Sequence, residues 1–334
     1  MAIQLKSARV ERWPVAGAFV ISRGAREHVD VVVAEIDDDG APGRGEGTPI
    51  DYLGEDATGC RDAILRVMPH LAGMSAEGAR GAIQELMGPG AARNALDCAL
   101  WDAEARRRGV PLWRLAGCDG APAARITAFT ISLAAPDRMA ADAAAAAEKG
   151  FCLFKLKLTG TGDRERVAAV RGAAPDARLI VDANESWGQI DLLAEAEALA
   201  ELGVEMIEQP VPVGADALLD GVYAPIPFIA DESCQTAADV ARIGAFYDGV
   251  NIKLDKAGGL TEALRIADAA DAAGLAIMVG CMLSTSLAIA PAFVLTQRAR
   301  WVDLDGPALL ARDRENGFRF GGGEVAPPDP KPNP

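Results

Sequence analysis

Phe151-Cys152-Leu153-Phe154-Lys155-Leu156-Lys157-Leu158 is an apolar run carrying two lysines two residues apart, which puts both on one face of a strand. A buried ammonium is costly unless neutralised, so that face looks onto something other than an oil-like core. Short apolar runs of the same kind recur at 126–132, 179–181, 205–207, 228–230, 249–254, 276–280 and 301–304. Ala- and Glu-rich segments with helical spacing lie between them, for example 137–149, 165–173 and 260–273. Eight strands with helices between them predict a parallel sheet closed into a (β/α) barrel rather than an open one. No Gly-x-Gly-x-x-Gly opens these helices, which argues against a dinucleotide site. A Gly/Pro-rich tail follows the last strand in place of a helix, so the expected class is α/β with a (β/α)7β TIM-like barrel.

The N-terminal part reads differently. Stretches 3–13 and 29–36 alternate like antiparallel strands, and helical patterns follow at 75–87 and 91–108. We expect an α+β capping domain over 1–120, the barrel over 121–307 and a tail over 308–334 that packs on the cap. The 334 residues carry 33 Lys+Arg against 48 Asp+Glu, a net charge of −15, and this acidity argues against nucleic acid or an anionic membrane as partner. The N-terminus lacks a basic stretch before an apolar core, and no apolar run approaches the ~20 residues of a membrane span. Cys60, Cys98, Cys118, Cys152, Cys234 and Cys281 form no C-x-x-C pair and are too scattered for a disulfide framework. A cytoplasmic protein is expected. The two histidines, His28 and His70, both precede the barrel, so its chemistry must use Lys, carboxylates, Cys or Ser, or a metal held by oxygen.

Thr130, Lys157, Asp182, Glu208, Asp231, Lys253, Cys281 and Asp303 close the eight strands, at steps of 27, 25, 26, 23, 22, 28 and 22 residues. Side chains at these positions converge on the barrel mouth, where active sites lie. Three consecutive strands deliver Asp182, Glu208 and Asp231, an oxygen-only set suited to Mg²⁺ or Mn²⁺. Taken singly, each carboxylate could equally cap the following helix. Lys157 and Lys253 flank the trio; they read as charge balance, or as proton-transfer groups on opposite faces of a substrate. Lys256 reads as a solvated loop residue. Cys281 is a packed thiol or, in principle, a nucleophile, but no base accompanies it.

These residues resemble the enolase superfamily in its muconate-lactonizing branch. The resemblance rests on Lys155-x-Lys157, Val181-Asp182-Ala183-Asn184, Ile207-Glu208-Gln209-Pro210, Ala230-Asp231-Glu232-Ser233 and Asn251-Ile252-Lys253, and it spans nearly the whole chain. It implies Mg²⁺ on Asp182, Glu208 and Asp231 (Mn²⁺ as substitute), Lys157 and Lys253 as the acid/base pair, and Lys155 as a helper at the substrate carboxylate. An ene-diolate mechanism comes with the superfamily as well, as one of its known properties.

Asp303-Leu304-Asp305-Gly306-Pro307 resembles the signature of dipeptide epimerases, in which Asp303 and Asp305 would receive a free ammonium; a plain strand-end turn is the other reading. Within that group the chain resembles enzymes of the L-Ala-D/L-Glu type. The cap stretch Ile21-Ser22-Arg23-Gly24-Ala25-Arg26 carries the likeness, with Gly45-Glu46-Gly47-Thr48-Pro49 and the helix containing Asn94-Ala95-Leu96-Asp97. Arg23 would bind the glutamate carboxylate, or form a surface ion pair; Asp51 would disfavour an acidic substrate. Thr130, Cys281 and Leu283 would line the pocket. The resemblance thus implies a dipeptide partner and commonly a homo-oligomer. The rivals are an N-acylamino acid racemase, an o-succinylbenzoate synthase or a muconate cycloisomerase on the same scaffold, a Schiff-base aldolase, and a silent binding protein.

Overall fold

A computed structural model describes residues 3–21 and 24–328. Its first sheet has the order β1-β2-β3, with β1 Ile3–Ile21, β2 Gly24–Asp38 and β3 Ala41–Gly47. The β1–β2 hairpin is longer than the alternating stretches predicted. Beyond Pro14 its register shifts, and Phe19 pairs with Arg26 in a ribbon reaching the barrel: Leu133 N donates to Val20 O at 3.0 Å. No single buried face governs that outer part, so alternation could not show it.

β3 lies directly on the helix Ala91–Arg108. Period two puts Gly43, Gly45 and Gly47 on one face, and a Cβ there would stand 2.1 Å from Ala99 O, Ala95 O and Ala91 O respectively. Only glycine permits this approach. The opposite face of β3 sends Glu46 toward the barrel. The helix is buried nearly all round, Asn94 and Asp97 included, because it is clamped between the cap sheet and the barrel. Gly109, at φ 64°, ends it after three arginines.

The second sheet holds eight parallel strands in sequential order: β5 Phe129–Ile131, β6 Leu153–Lys157, β7 Arg178–Asp182, β8 Val204–Glu208, β9 Phe228–Ala230, β10 Gly249–Lys253, β11 Ala276–Gly280 and β12 Trp301–Asp303. Ala128 N donates to Val302 O at 2.7 Å and Leu304 N to Thr127 Oγ1 at 2.9 Å, drawing the first strand to the last. The single strand predicted at 126–132 is divided: β4, Arg125–Ile126, leaves the barrel and pairs with the tail. The helices between strands run close to their predicted bounds, for instance Pro136–Glu148 and Leu260–Ala272.

Alternation along the strands sorts the interior into layers. Leu153, Ile180, Met206, Ile229, Met278 and Trp301 form an apolar plug at the bottom. Two residues further along each strand stand Lys155, Asp182, Glu208, Asp231, Gly280 and Asp303, so a polar layer rests on the plug. The tail does two things. Leu310 bridges to Val15, and Arg314 reaches Glu11 and Glu46 of the cap; the hairpin of β13 Arg319–Gly321 and β14 Glu324–Ala326 then pairs with β4 under the barrel. No helix among the described residues is long and apolar enough to cross a membrane.

The glycine row yields a stability prediction. Gly45→Ala sets a methyl against immovable helix backbone and should cost about 3 kcal/mol or more, whereas Gly81→Ala, in the helix Ala76–Leu86 with open space around it, should cost nothing measurable. Urea unfolding of the two variants reads the difference; equal midpoints would refute the close-packed cap.

Candidate active site

Strand geometry brings the predicted polar residues to one place. Lys155 Nζ lies 2.6 Å from Glu208 Oε2, 2.9 Å from Asp303 Oδ2 and 3.4 Å from Asp182 Oδ2. Lys157 Nζ is 2.6 Å from Asp182 Oδ2, and Lys253 Nζ is 2.8 Å from Asp231 Oδ2. Lys157 on β6 and Lys253 on β10 are four strands apart in a ring of eight, and so face each other across the mouth. Gly280 makes room for the second: a Cβ there would meet Asn251 Oδ1 at 2.7 Å and Lys253 Cε at 3.1 Å.

The electrostatics follow from burial. Burial raises Glu208 to about 7, with the like charge of Asp182 adding to it. Burial acts the same way on Asp182, but Lys157 and then Lys155 overcome it and hold the group at about 2. Asp231 is likewise driven well below the usual carboxylate range by Lys253 and Lys256, against its burial. Burial would lower Lys155, yet Asp303, Glu208 and Asp182 raise it well above an ordinary lysine.

Lys256 corrects the sequence reading. It is 1% exposed, and its Nζ lies 2.6 Å from Asp231 Oδ1. The short helix Leu254–Ala257, which starts directly after β10, turns it back into the barrel top. Gln209 and Asn251 were missed as site residues. Gln209 Oε1 accepts the N–H groups of Asp231 (2.9 Å) and Ser233 (3.1 Å), and Asn251 Nδ2 donates to Glu208 Oε1 at 2.8 Å. Their signal was adjacency to a strand end, without a charge to mark it.

A cavity of about 500 Å³ lies between this layer and the cap. Lys155, Lys157, Asp231 and Lys253 open onto it from the barrel, with Thr130, Cys281, Leu283, Asp303 and Asp305. Thr130 N donates to Asp305 Oδ2 at 2.7 Å. Burial, then Asp303, raises Asp305 to about 7, and among the described residues no lysine or arginine nitrogen lies within ion-pair distance of it. Asp303 has Lys155 as partner, yet its Oδ1 is buried without a hydrogen bond. Burial, with Asp305 and Asp303, pushes the Cys281 thiol well above its ordinary value, which favours the packed-thiol reading. From the cap, Arg26 and Asp51 line the cavity and pair with each other, so Asp51 does not stand there as a lone negative charge. Arg23 lies outside the described residues.

The donor chemistry of Asp182, Glu208 and Asp231 fits a hard divalent cation: oxygen only, fully buried, on adjacent strands. Glu208 Oε2 and Asp231 Oδ1 make no hydrogen bond, meeting only ammonium groups at 2.6 Å. Among the described residues no three His, Cys, Asp or Glu side chains stand together so as to hold a metal ion; as they lie, each of these three carboxylates is turned to a lysine.

Two family models match in sequence along the chain. One describes the N-terminal domain of mandelate racemase and muconate lactonizing enzyme, over residues 4–117; the other is enolase C-terminal domain-like, over 138–332. The chain belongs to the enolase superfamily. Within that superfamily it is 46% identical over 316 residues to an L-Ala-D/L-Glu epimerase of Escherichia coli K12, covering 94% of this chain and 97% of the relative. An enolase family member from Agrobacterium tumefaciens, solved with sodium and L-Ala-L-Glu and having homology to dipeptide epimerases, superposes with a TM-score of 0.90 at 44% identity, covering 98% of this chain and 97% of that one. A dipeptide epimerase from Enterococcus faecalis V583, solved with Mg and L-Leu-L-Tyr, gives 0.90 at 29% identity over 98% and 97%.

The junction of cap and barrel carries a pH signature. Asp255 Oδ1 accepts from Thr48 N at 2.8 Å and from Asn94 Nδ2 at 2.7 Å, and burial raises the carboxyl to about 7. Unfolded, it would titrate at about 3.9. The folded state therefore holds a proton that the unfolded chain releases, and stability falls as pH rises from about 4 to about 7, then levels. Asp255→Asn keeps the accepting oxygen and cannot ionise. Its melting temperature should gain a few degrees on the parent between pH 5 and pH 8; a difference independent of pH would refute the assignment.

Proposed function

We propose that this chain is a Mg²⁺-dependent dipeptide epimerase, moving a proton on and off the α-carbon of the C-terminal residue, with L-Ala-D/L-Glu as substrate. It is thus an isomerase of the racemase and epimerase class. The observation that carries the reading is one cavity with Lys157 and Lys253 on opposite sides and a carboxylate, Asp305, that has no ion-pair partner among the described residues. An α-proton beside a carboxylate is very weakly acidic, so its removal needs a base on one face and positive charge near the carboxylate. Asp182, Glu208 and Asp231 would hold the cation, which when bound supplies charge for the substrate carboxylate.

The chain's own residues do the rest. Lys157 takes the proton from one face, and Lys253 delivers one to the other; exchanging the roles runs the reaction backward. Lys155, gripped by Glu208 and Asp303, stays fixed and lends positive charge to the substrate carboxylate. Asp303 and Asp305 receive the dipeptide ammonium, for which Asp305 has no competing cation among the described residues. Arg26, on the cap side, is placed to meet the side chain of the epimerised residue. The domain division goes with this reading: a cap over 1–120 that covers the mouth, a barrel over 121–307, and a tail over 308–334 whose Arg314 ties to the cap. The six cysteines form no disulfide, which favours a reducing, cytoplasmic setting.

An o-succinylbenzoate synthase or muconate cycloisomerase would bring a carboxylate against Asp303 and Asp305, where like charges repel, and an N-acylamino acid racemase would bring a neutral acyl group that makes no use of the two acids. This separates the readings by experiment. The protein should interconvert L-Ala-L-Glu and L-Ala-D-Glu, losing activity to chelators. Asp305→Asn should lower kcat/KM for the dipeptide about 10- to 100-fold, the worth of a hydrogen bond to a charged group. Turnover of N-acetyl-L-Glu by the same variant should not fall. An equal loss on both substrates, or none on the dipeptide, would overturn the ammonium assignment.

A further inference from the structure

Of the four lysines at the barrel top, Lys256 differs from the other three in what surrounds it. Lys155, Lys157 and Lys253 open onto the cavity, whereas Lys256 does not. Its Nζ donates to the carbonyls of Asp231, Cys234 (3.0 Å) and Asn251 (3.1 Å) and stands 2.6 Å from Asp231 Oδ1. An ammonium has three N–H donors, and four acceptors surround this one, so it is saturated and has no direction in which to reach a substrate. Lys253 meets the other oxygen of the same carboxylate, Asp231 Oδ2, and its ion-pair partners among the described residues are Asp231 and Glu208.

We propose that Lys256 is a positioning residue: it clamps Oδ1 of Asp231 and the backbone turn 231–234 in the cation-binding arrangement, and takes no part in proton transfer. The proposal rests on the cation reading given above. Two further contacts support it. Gln209 holds the same turn from the other side through the N–H groups of Asp231 and Ser233. The helix Leu254–Ala257 that bears Lys256 is itself fixed by the cap, since Arg93 donates to Ala257 O (2.6 Å) and Gly258 O (3.1 Å), and Asn94 to Asp255. The cap thus reaches Asp231 through one short helix. Lys256 sets the ligand, and Lys253 is left for the substrate.

Titration with Mn²⁺ alone, followed calorimetrically and by electron paramagnetic resonance, tests this on the full chain and on Lys256→Met and Lys256→Gln. Both variants should bind Mn²⁺ about 10- to 100-fold more weakly, the usual consequence of losing a group that orients a ligand. At saturating metal, the limbs of the kcat pH profile should not move. Unchanged Mn²⁺ affinity, or loss of one pH limb, would overturn the proposal. Failure of the parent itself to bind Mn²⁺ would instead overturn the cation reading. Should both variants fail to fold, hydrogen exchange on the parent decides: the amides of Asp231, Ser233 and Cys234 should be protected before Mg²⁺ is added, and protection arising only on its addition would refute a preset turn.

Discussion

A charge taken out of water must be met by an opposite charge or be lost, and the top layer of this barrel is built on that requirement. Four ammonium groups and the carboxylates of Asp182, Glu208, Asp231 and Asp303 share a volume with almost no access to solvent. Each is tolerable because its neighbours carry the other sign; removing one partner from such a buried pair costs roughly 3–5 kcal/mol. The layer gains little stability from its charges. What it gains is a set of groups held in fixed directions and shielded from water, which is what proton transfer beside a carboxylate demands.

The rest of the molecule keeps that layer closed. Below it, the apolar plug from Leu153 to Trp301 fills the barrel so that water cannot enter from beneath. Above it, the cap is fastened to the barrel, and two of the anchors are Glu46 and Thr48. Glu46, wholly buried, accepts from Thr285 N at 2.7 Å and pairs with Arg314 of the tail; Thr48 meets both Asp255 and the Leu283 carbonyl, the latter at 3.0 Å. Both anchors leave the end of β3, whose position is fixed by its glycines against the helix Ala91–Arg108. A local rule of strand geometry thereby sets the roof of the site.

Much of this was legible in the sequence, for reasons that can be named. The strand-end residues stood out because a period of two, repeated at one β/α unit, leaves few places for a charge except the mouth. Asp303 and Asp305 stood out through the resemblance of Asp303-Leu304-Asp305-Gly306-Pro307 to the dipeptide epimerase signature; taken alone, the stretch reads equally as a strand-end turn. Lys256 did not, because the helix Leu254–Ala257 begins directly after β10 and reverses the direction that strand alternation would give. Gln209 and Asn251 act through neutral amides, which leave no mark in a charge pattern. The division of β4 from β5 depends on a strand pairing with residues 324–325, almost two hundred positions later, and no local pattern encodes that. Arg26 against Asp51 is a meeting of strand β2 with the short helical turn Asp51–Leu53, equally invisible to periodicity.

The central claim is that Lys157 and Lys253 serve opposite faces of one α-carbon. Solvent deuterium incorporation into each epimer separately, with Lys157→Ala and Lys253→Ala, tests it most directly. Both variants should lose epimerisation, while each keeps α-proton exchange with one epimer only, and not the same one. Exchange lost from the same epimer in both variants, or epimerisation by the parent without solvent deuterium entering the product, would contradict the account.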